Sequence, residues 1–257
     1  MNGVAAVGGY LLFSSEAHRG ALCALFLGVL FLAAAGSALN QVLERDLDRL
    51  MLRTMIRPLP RGDLTTRAAT SYAGVALCAG VALLVVFCGS VSVLMGATAL
   101  FWYLAVYTPL KRRSNCALVF GAVCGALTPV IGWCAAGGSP FDYRIMFLAG
   151  LLYLWQVPHF WLLQRRHADD YQRAGLPLVV MGVEGGVVSS LFWLWIVALV
   201  AGTMLLPAFG IIPPRASLWY AAFPLPLVLL FMLRSEKALF SYLNLFPLLV
   251  TLPLIEL

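Results

Sequence analysis

Three segments of the chain place acidic and basic side chains at helical spacing, and the first has the chemistry of a metal site. Asn40, Glu44 and Asp48 recur every four residues, directly after an apolar stretch. If one helix continues through this segment, these three oxygen-bearing side chains share one face. Mg²⁺ prefers hard oxygen ligands and often combines a few carboxylates with substrate phosphate. The spacing therefore predicts a magnesium site at the end of this helix.

Arginines follow these acids at the same spacing. Arg53, Arg57 and Arg61 again repeat every four residues. The planar guanidinium group suits capture of phosphate oxygens through several hydrogen bonds. The segment therefore favours a metal–diphosphate site. The charge run alone fits a solvated helix end with internal salt bridges equally well.

The second segment follows another apolar stretch and is mainly basic. Tyr107 and Lys111 are four residues apart, and Arg112 comes next. Lys111 and Arg112 are candidates for holding an anionic leaving group. Their spacing by itself is more typical of a basic anchor that fixes the orientation of a membrane protein.

The third segment begins inside an apolar stretch and ends in acids. His159 is an ionisable residue within that stretch, which makes it a candidate for function, although a histidine can also be a hydrogen-bond donor between packed helices. Asp169 and Asp170 end this predicted helix as Glu44 and Asp48 end the earlier one. Two facing carboxylate clusters can hold Mg²⁺ that neutralises a diphosphate leaving group.

The elements that carry these segments are membrane spans. Of the 257 residues, 62% are hydrophobic and 11% are charged, whereas a soluble domain carries about a quarter charged residues. Long continuous apolar runs indicate helices rather than barrel strands. We therefore predict one all-α membrane domain over residues 1–257, a bundle of nine transmembrane helices near 1–14, 21–42, 68–87, 90–107, 115–137, 145–164, 187–206, 218–233 and 238–255.

The basic residues predict the orientation of this bundle. Of the 17 Lys and Arg residues, 14 follow the second, fourth, sixth and eighth stretches, and only Arg19, Arg144 and Arg215 fall on the opposite side. Because basic loops stay in the cytoplasm, the three charged segments should face the cytoplasm. The expected location is the inner membrane of a bacterium.

Read in order, the motifs resemble those of the UbiA-type intramembrane prenyltransferases, and most closely the protoheme IX farnesyltransferase (haem O synthase) family. The resemblance covers residues 37–180, and beyond 190 only the apolar pattern agrees. The matching motifs are the acidic run from Asn40 to Asp48 with Met51, Arg53-Thr54 and Arg57-Pro-Leu-Pro60, the Tyr107–Arg112 element, the Gly125–Trp133 stretch, Trp155-Gln-Val-Pro-His-Phe160, and Asp170-Tyr171 with Ala174-Gly-Leu-Pro177.

This resemblance implies a nine-helix bundle whose central cavity opens to the cytoplasm. It implies Mg²⁺-dependent ionisation of farnesyl diphosphate, attack by the 2-vinyl group of haem b, and completion by water. The implied partners are farnesyl diphosphate, haem b, the lipid bilayer and a downstream haem A synthase, and no nucleic acid is expected.

The family's roles carry over to this chain position by position. The resemblance implies that the metal and diphosphate are bound by Asn40, Glu44, Asp48 and Asp170, with Lys111 as a further catalytic residue. It implies substrate contacts from Arg53, Arg57, Tyr107, Arg112, His159, Asp169 and Tyr171, with His159 near the haem.

Two features depart from the family pattern. Glu44 stands where the family has Asp, which lengthens the reach of that carboxylate to a metal. The first span begins at Met1 with no basic Lys-Pro-Arg-like element before it, so we expect that span to be incomplete at its amino end.

Other functions remain open at this stage. A prenyltransferase of the same fold can use another acceptor, such as a quinone precursor or a chlorin. A transporter can also have charged cavity walls, although transporters often show paired repeats that this sequence lacks. A non-catalytic haem-binding protein that kept the fold is a third possibility.

Overall fold

The computed structural model describes residues 1–14, 18–178, 190–212 and 214–255. In these ranges the chain is helical and has no strand. The helices are α1 Asn2–Phe13, α2 Arg19–Leu43, α3 Arg45–Asp48, α4 Pro58–Arg61, α5 Thr66–Phe101, α6 Thr108–Leu110, α7 Ala117–Ala135, α8 Tyr143–Arg166, α9 Ala168–Arg173, α10 Ser190–Ala208, α11 Ser217–Ala222, α12 Leu225–Met232 and α13 Glu236–Ile255. A π-helix covers Trp102–Tyr107, and a 3-10 helix covers Pro214–Ala216.

The protein is an integral membrane protein built from apolar helices. Within the described ranges, seven helical segments are long and apolar enough to cross a bilayer. The third and fourth predicted spans lie in one helical segment, Thr66–Leu110, which leaves helical geometry at Gly89 (φ 81°, ψ 167°). The first predicted span is the short helix α1, of 12 residues. The count of nine crossings therefore stays a prediction, and the first three residues of the predicted stretch 187–206 lie outside the described residues.

Close backbone contacts hold the amino-terminal half of the bundle together. A Cβ added at Gly9 would lie 1.9 Å from the carbonyl oxygen of Pro129, and one at Gly132 would lie 1.7 Å from that of Ala6. Helices α1 and α7 therefore touch backbone to backbone. Lipid offers apolar side chains the same surroundings as a protein interior, so this close packing is a main source of helix association.

The carboxyl-terminal half is packed by larger side chains. Phe192, Tyr220 and Phe246, together with Trp133 of α7, are among the largest fully buried side chains. They join α7, α8, α10, α11 and α13 into one apolar core. This core positions α8, which carries the third charged segment at its end.

The three charged segments meet at one end of the bundle. Short helices α3 and α4 lie between α2 and α5, the π-helix and α6 end the long α5 segment, and α9 follows α8. Side-chain hydrogen bonds join the first segment both to the second, through Lys111 and Glu44, and to the third, through Leu52 and Asp170. We call this end of the bundle the site face.

Candidate active site

The acidic run after α2 is nearly, but not fully, one helix. Helix α2 ends at Leu43, Glu44 leaves helical geometry (φ −110°, ψ 12°), and α3 begins at Arg45. The prediction of an unbroken helix is therefore wrong at Glu44. Backbone bonds from Glu44 N to Asn40 O (2.9 Å) and from Asp48 N to Glu44 O (2.8 Å) nevertheless preserve the four-residue spacing across the break.

Glu44 is the centre of a buried polar cluster. Its residue surface is only 2% exposed. Its Oε2 accepts hydrogen bonds from Asn40 Nδ2 at 2.9 Å and from Lys111 Nζ at 2.7 Å. Its Oε1 is buried and has no hydrogen-bond partner among the described residues. A buried carboxylate oxygen without a partner is unfavourable, so this atom is suited to a ligand that supplies positive charge.

The π-helix and the residues directly after it contact this cluster. Such segments are rare and occur often at functional sites. The Thr108 hydroxyl lies 2.8 Å from the carbonyl oxygen of Tyr103 and 2.9 Å from Asn40 Oδ1, so its single proton is shared between the two acceptors. Tyr103 and Tyr107 stack with ring centroids 5.9 Å apart. Lys111 follows one turn later and reaches Glu44.

Asp48 forms a second buried pair. It is 1% exposed, and its Oδ2 accepts a hydrogen bond from Arg57 Nη1 at 2.8 Å. The Thr54 hydroxyl donates to the backbone carbonyl of Asp48 at 2.9 Å. These bonds fold residues 49–57 back over α3, so that the predicted acid and the predicted arginine are in contact.

Asp170 binds the backbone of the first segment. Its Oδ1 accepts from Leu52 N at 2.9 Å and its Oδ2 from Arg53 N at 3.2 Å, while Arg173 Nη1 lies 3.4 Å from Oδ1. Burial of Asp170 raises its pKa, but the two backbone bonds and the positive charge of Arg173 lower it more, so the pKa lies below its ordinary value. Both carboxylate oxygens already have donors, and Asp170 therefore ties α9 to the first segment.

The way in which α9 ends explains why a glycine stands at position 175 of the third segment. Gly175 has φ +63°, its N–H donates to Gln172 O, and the N–H of Leu176 donates to Tyr171 O. This pair of bonds is a Schellman cap, in which a glycine fits the left-handed position. Leu176 and Tyr171 then pack with Met51 in a small apolar cluster below the Asp170 bonds.

Tyr171 lies between the two acidic regions. Burial raises its pKa, Arg53 lowers it and Glu44 raises it. Its hydroxyl group is therefore electrostatically coupled to both the first segment's arginine and the buried glutamate. Its predicted contact with the substrate stays a prediction.

The four predicted metal ligands do not form one compact acidic cluster. In the described ranges, no group of three His, Cys, Asp or Glu side chains converges as a metal site. Asn40 and Glu44 adjoin, whereas Asp48 pairs with Arg57 and Asp170 with backbone N–H groups. The metal assignment stays a prediction.

A basic cleft of about 390 Å³ opens on the site face. Arg53, Arg166 and Arg173 line it together with His167 and Asp169. Partial burial lowers the pKa of His167, and the nearby Arg53 lowers it further. The cleft is thus a cationic surface that fits an anion, and it contains two of the predicted substrate contacts, Arg53 and Asp169.

Arg112 contacts the end of α2, and its predicted contact with the diphosphate stays a prediction. Its Nη2 donates to the carbonyl oxygen of Leu43 at 2.6 Å. It therefore caps the last turn of α2, where a cation is favourable because of the exposed carbonyls and the helix dipole. Through that contact Arg112 helps to hold the break at Glu44.

An apolar cavity of about 270 Å³ lies inside the bundle next to the acidic cluster. Its walls come from α2, α5, the π-helix, α7 and α8, and they include Tyr103, Tyr107 and Phe160. The ring of Tyr107 lies against Gly121, where an added Cβ would come within 2.7 Å of it. Tyr107 therefore joins the cavity to Lys111, one turn away on the same segment.

His159 lies outside the lining of this cavity. Its ring stacks between Trp155 and Phe240, with centroid distances of 5.2 and 5.3 Å. Its Nδ1 is buried without a hydrogen-bond partner in the described part of the chain. His159, on α8, thus lies at the contact of that helix with α13. Its proximity to haem stays a prediction.

Three residues of the site were missing from the sequence-based set. Thr108 contacts Asn40, and Tyr103 and Gln156 form part of the cavity wall. Tyr103 precedes Tyr107 by one helical turn, and Gln156 lies inside the Trp155–Phe160 motif, so both had a signal. Thr108 had none, because its role depends on contact with a helix far away in sequence.

Comparison with known proteins identifies relatives over almost the whole chain. Residues 3–242 match the model of the UbiA prenyltransferase family. A protoheme IX farnesyltransferase from Geobacter sulfurreducens is 58% identical over 256 residues, which cover 99% of this chain and 94% of that protein. A protoheme IX farnesyltransferase from Oleidesulfovibrio alaskensis is 39% identical over 84% of this chain and 76% of its own length.

Solved structures share the fold. A UbiA homologue from Aeropyrum pernix K1 in its apo form has a TM-score of 0.80 at 19% identity, covering 99% of this chain and 95% of that one. A UbiA homologue from Archaeoglobus fulgidus, bound to GPP and Mg²⁺, has a TM-score of 0.68 at 18% identity, covering 100% and 95%. At these identities the likeness establishes the architecture alone.

Proposed function

Since this chain belongs to the UbiA prenyltransferase family, we propose that it transfers the farnesyl group of farnesyl diphosphate to a vinyl group of haem b, which gives haem O. The relatives named above are protoheme IX farnesyltransferases. The protein is accordingly an enzyme of the prenyltransferase class, and farnesyl diphosphate and haem b are its proposed substrates.

The observation that carries this proposal is a buried charged cluster directly beside an apolar cavity. Glu44 and Lys111 form the cluster, and Tyr107 connects it to the cavity. An allylic diphosphate has the matching shape, with a strongly anionic head and an apolar tail. A substrate whose head lies at the site face and whose tail enters the cavity places its reacting carbon at the boundary between them.

The donor atoms near this boundary are of the type that Mg²⁺ binds. Glu44 Oε1 is buried and unpartnered in the described part of the chain, and Asn40 and Asp48 supply further oxygens at helical spacing. Hard oxygen ligands are those that Mg²⁺ prefers. When bound, the ion would neutralise charge on the diphosphate and favour its departure. The solved relative with GPP and Mg²⁺ is a precedent within this fold.

Basic side chains of the chain supply the rest of the anion's stabilisation. Lys111 and Arg57 already lie within 2.8 Å of carboxylate oxygens in the cluster, so both can exchange those oxygens for oxygens of the diphosphate without large movement. Arg53 faces the adjoining basic cleft. Cations held where negative charge develops lower the barrier to ionisation.

The cavity shelters the cation that remains. The rings of Tyr103, Tyr107 and Phe160 line it, and aromatic faces stabilise positive charge. An apolar wall also keeps bulk water from capturing the farnesyl cation before the vinyl group reaches it. The Trp155–Phe160 motif lies on the same helix and is our candidate for acceptor selection, with His159 near the haem.

We also propose the cellular setting. The enzyme lies in the inner membrane of a bacterium with its site face in the cytoplasm, since the basic residues are concentrated at that end. Haem O released there is the expected substrate of a haem A synthase, which is the proposed downstream partner.

The test is production of farnesylated haem. The protein is expressed in membranes that contain haem b and farnesyl diphosphate. The extracted haems are separated by chromatography, and their masses are measured by mass spectrometry. The wild type should give haem O. Asp48→Ala should reduce product by at least about a hundredfold, since it removes a buried acid and unpairs Arg57. Absence of product from well-expressed wild type would refute the proposed reaction, and full activity of Asp48→Ala would refute the role of this acid.

A further inference from the structure

We propose that Gln156 positions the water molecule that completes the reaction, and so determines that the product is an alcohol rather than an alkene. This inference rests on the proposed function, because it concerns the last step of farnesyl transfer to a vinyl group. It assigns a role to a cavity residue that takes no part in metal or diphosphate binding.

Gln156 supplies a buried polar atom without a hydrogen-bond partner among the described residues, on a side chain that lines the cavity. Its side chain lines the cavity together with Tyr107 and Phe160. Its Oε1 is fully buried and has no hydrogen-bond partner within the described ranges. Native structures rarely leave such atoms unpaired unless water or a ligand satisfies them.

The position of this amide is fixed by a glycine on the neighbouring helix. A Cβ added at Gly125 would lie 1.8 Å from Gln156 Oε1 and 2.6 Å from its amide carbon. The amide therefore packs directly against the backbone of α7 and fills the space that a side chain at position 125 would need.

The glycine that the amide packs against carries a second acceptor. Pro129 is inside α7 and has no N–H, so the carbonyl oxygen of Gly125, four residues earlier, lacks its usual helical donor. By contrast, the nearby hydroxyl of Thr128 is already bonded to the carbonyl of Cys124 at 3.3 Å. Gln156 and Gly125 thus offer two acceptors for the two protons of one water, which is the polar surrounding that a buried water needs.

The chemistry of the proposed reaction requires such a water. The bond between the farnesyl carbon and the diphosphate oxygen breaks with both electrons on oxygen. The π electrons of the vinyl group form the new carbon–carbon bond, and the positive charge moves to the carbon attached to the porphyrin ring. Water adds to that carbon through an oxygen lone pair, and its released proton goes to the diphosphate. If no water is in place, the same cation loses a proton from the adjacent CH₂ group and leaves an alkene.

Gln156 acts in this step by orientation. Its amide oxygen accepts a hydrogen bond from the water and turns the water's lone pair toward the cation. Amide oxygen is too weak a base to keep the proton, which is why the diphosphate receives it. Loss of this single hydrogen bond should change the ratio of alcohol to alkene by about tenfold.

The experiment compares the haem products of wild type, Gln156→Leu and Gln164→Leu in membranes. Gln164 is the matched control, because it lies two turns further along α8, also has a buried unpaired Oε1, and does not line the cavity. We expect Gln156→Leu to release a farnesylated haem lighter by one water, with the alcohol-to-alkene ratio lowered about tenfold. Gln164→Leu should keep the wild-type ratio.

A second variant keeps the test decisive if Gln156→Leu fails to accumulate. Gln156→Asn withdraws the amide by one methylene and should shift the ratio in the same direction. An unchanged ratio in whichever variant makes product would overturn the inference. Absence of any farnesylated haem from wild type would instead overturn the proposed function, so the two failures are distinguishable.

Discussion

Replacing Lys111 by Met removes the ammonium group that lies 2.7 Å from Glu44 Oε2. The Glu44 side chain is only 2% exposed and that of Lys111 is 18% exposed, so water cannot take over the role of the lost cation. One hydrogen bond, from Asn40, remains to the carboxylate. The variant therefore leaves a buried negative charge with little compensation.

The expected loss of stability follows from the geometry. At 2.7 Å the attraction between the two charges is about 6 kcal/mol if the effective dielectric constant is about 20. Desolvation of both groups opposes this gain, but removal of one partner of a buried pair still costs about 3–5 kcal/mol. We expect the free energy of unfolding of Lys111→Met to fall by that amount.

Unfolding in mixed micelles of mild detergent and SDS, followed by tryptophan fluorescence, measures this change. The matched control is Arg61→Gln, because Arg61 and Asp63 form a pair at 3.1 Å whose side chains are both more than half exposed. Its loss should be below about 1 kcal/mol. The double variant Lys111→Met, Glu44→Gln should recover most of the stability, since no buried charge remains. If Lys111→Met loses no more than Arg61→Gln, the buried ion pair does not have the role given to it.

Two further predictions concern the third segment and the cavity. The pKa of the Asp170 carboxyl group lies below its ordinary value of 3.8. Above pH 3.8 the charged carboxylate therefore accepts both backbone hydrogen bonds, and this stabilisation is lost as the pH falls through the lowered pKa. Asp170→Asn should speed hydrogen exchange of those amides about tenfold near neutral pH, and unchanged exchange would contradict the assignment. Gly121→Ala places a methyl group 2.7 Å from the Tyr107 ring, which should push the ring into the cavity and lower turnover about tenfold. Gly150→Ala meets nothing within 4 Å and is its control; equal turnover in the two variants would contradict the cavity assignment.

The helical membrane architecture could be predicted because composition alone determines it. Apolar runs of about 20 residues have few alternatives to a bilayer. What the sequence could not predict was how two of these runs connect. The third and fourth follow one another as two helices across a kink at Gly89, whose φ of 81° and ψ of 167° are not helical.

Local spacing predicted the contacts made within a helix. Asn40 and Glu44 do share a face and a hydrogen bond. The break at Glu44 could not be predicted, because it is capped by Arg112, a residue 69 positions away in the sequence. The spacing of residues along one helix does not show which hydrogen-bond donor of another segment will contact it.

The same limit explains Asp170 and His159. The two acidic helix ends and the resemblance predicted Asp170 as a metal ligand, which stays a prediction, and the structure adds that its two oxygens accept hydrogen bonds from backbone N–H groups of the first segment. The family resemblance implied that His159 lies near the haem, which stays a prediction, and the structure adds that its ring stacks between the rings of Trp155 and Phe240. In both cases the contacts include a group that is distant in the sequence, so the local sequence could not predict them.

The most direct test of the proposed reaction uses the purified protein in lipid nanodiscs with haem b, farnesyl diphosphate and Mg²⁺. Haem products and released diphosphate are measured from the same sample over time. The proposed function predicts one diphosphate released for each farnesylated, hydroxylated haem formed, with neither product when haem b or Mg²⁺ is left out. Haem b that stays unchanged in the complete mixture would contradict it, and so would transfer of the farnesyl group only to a different acceptor.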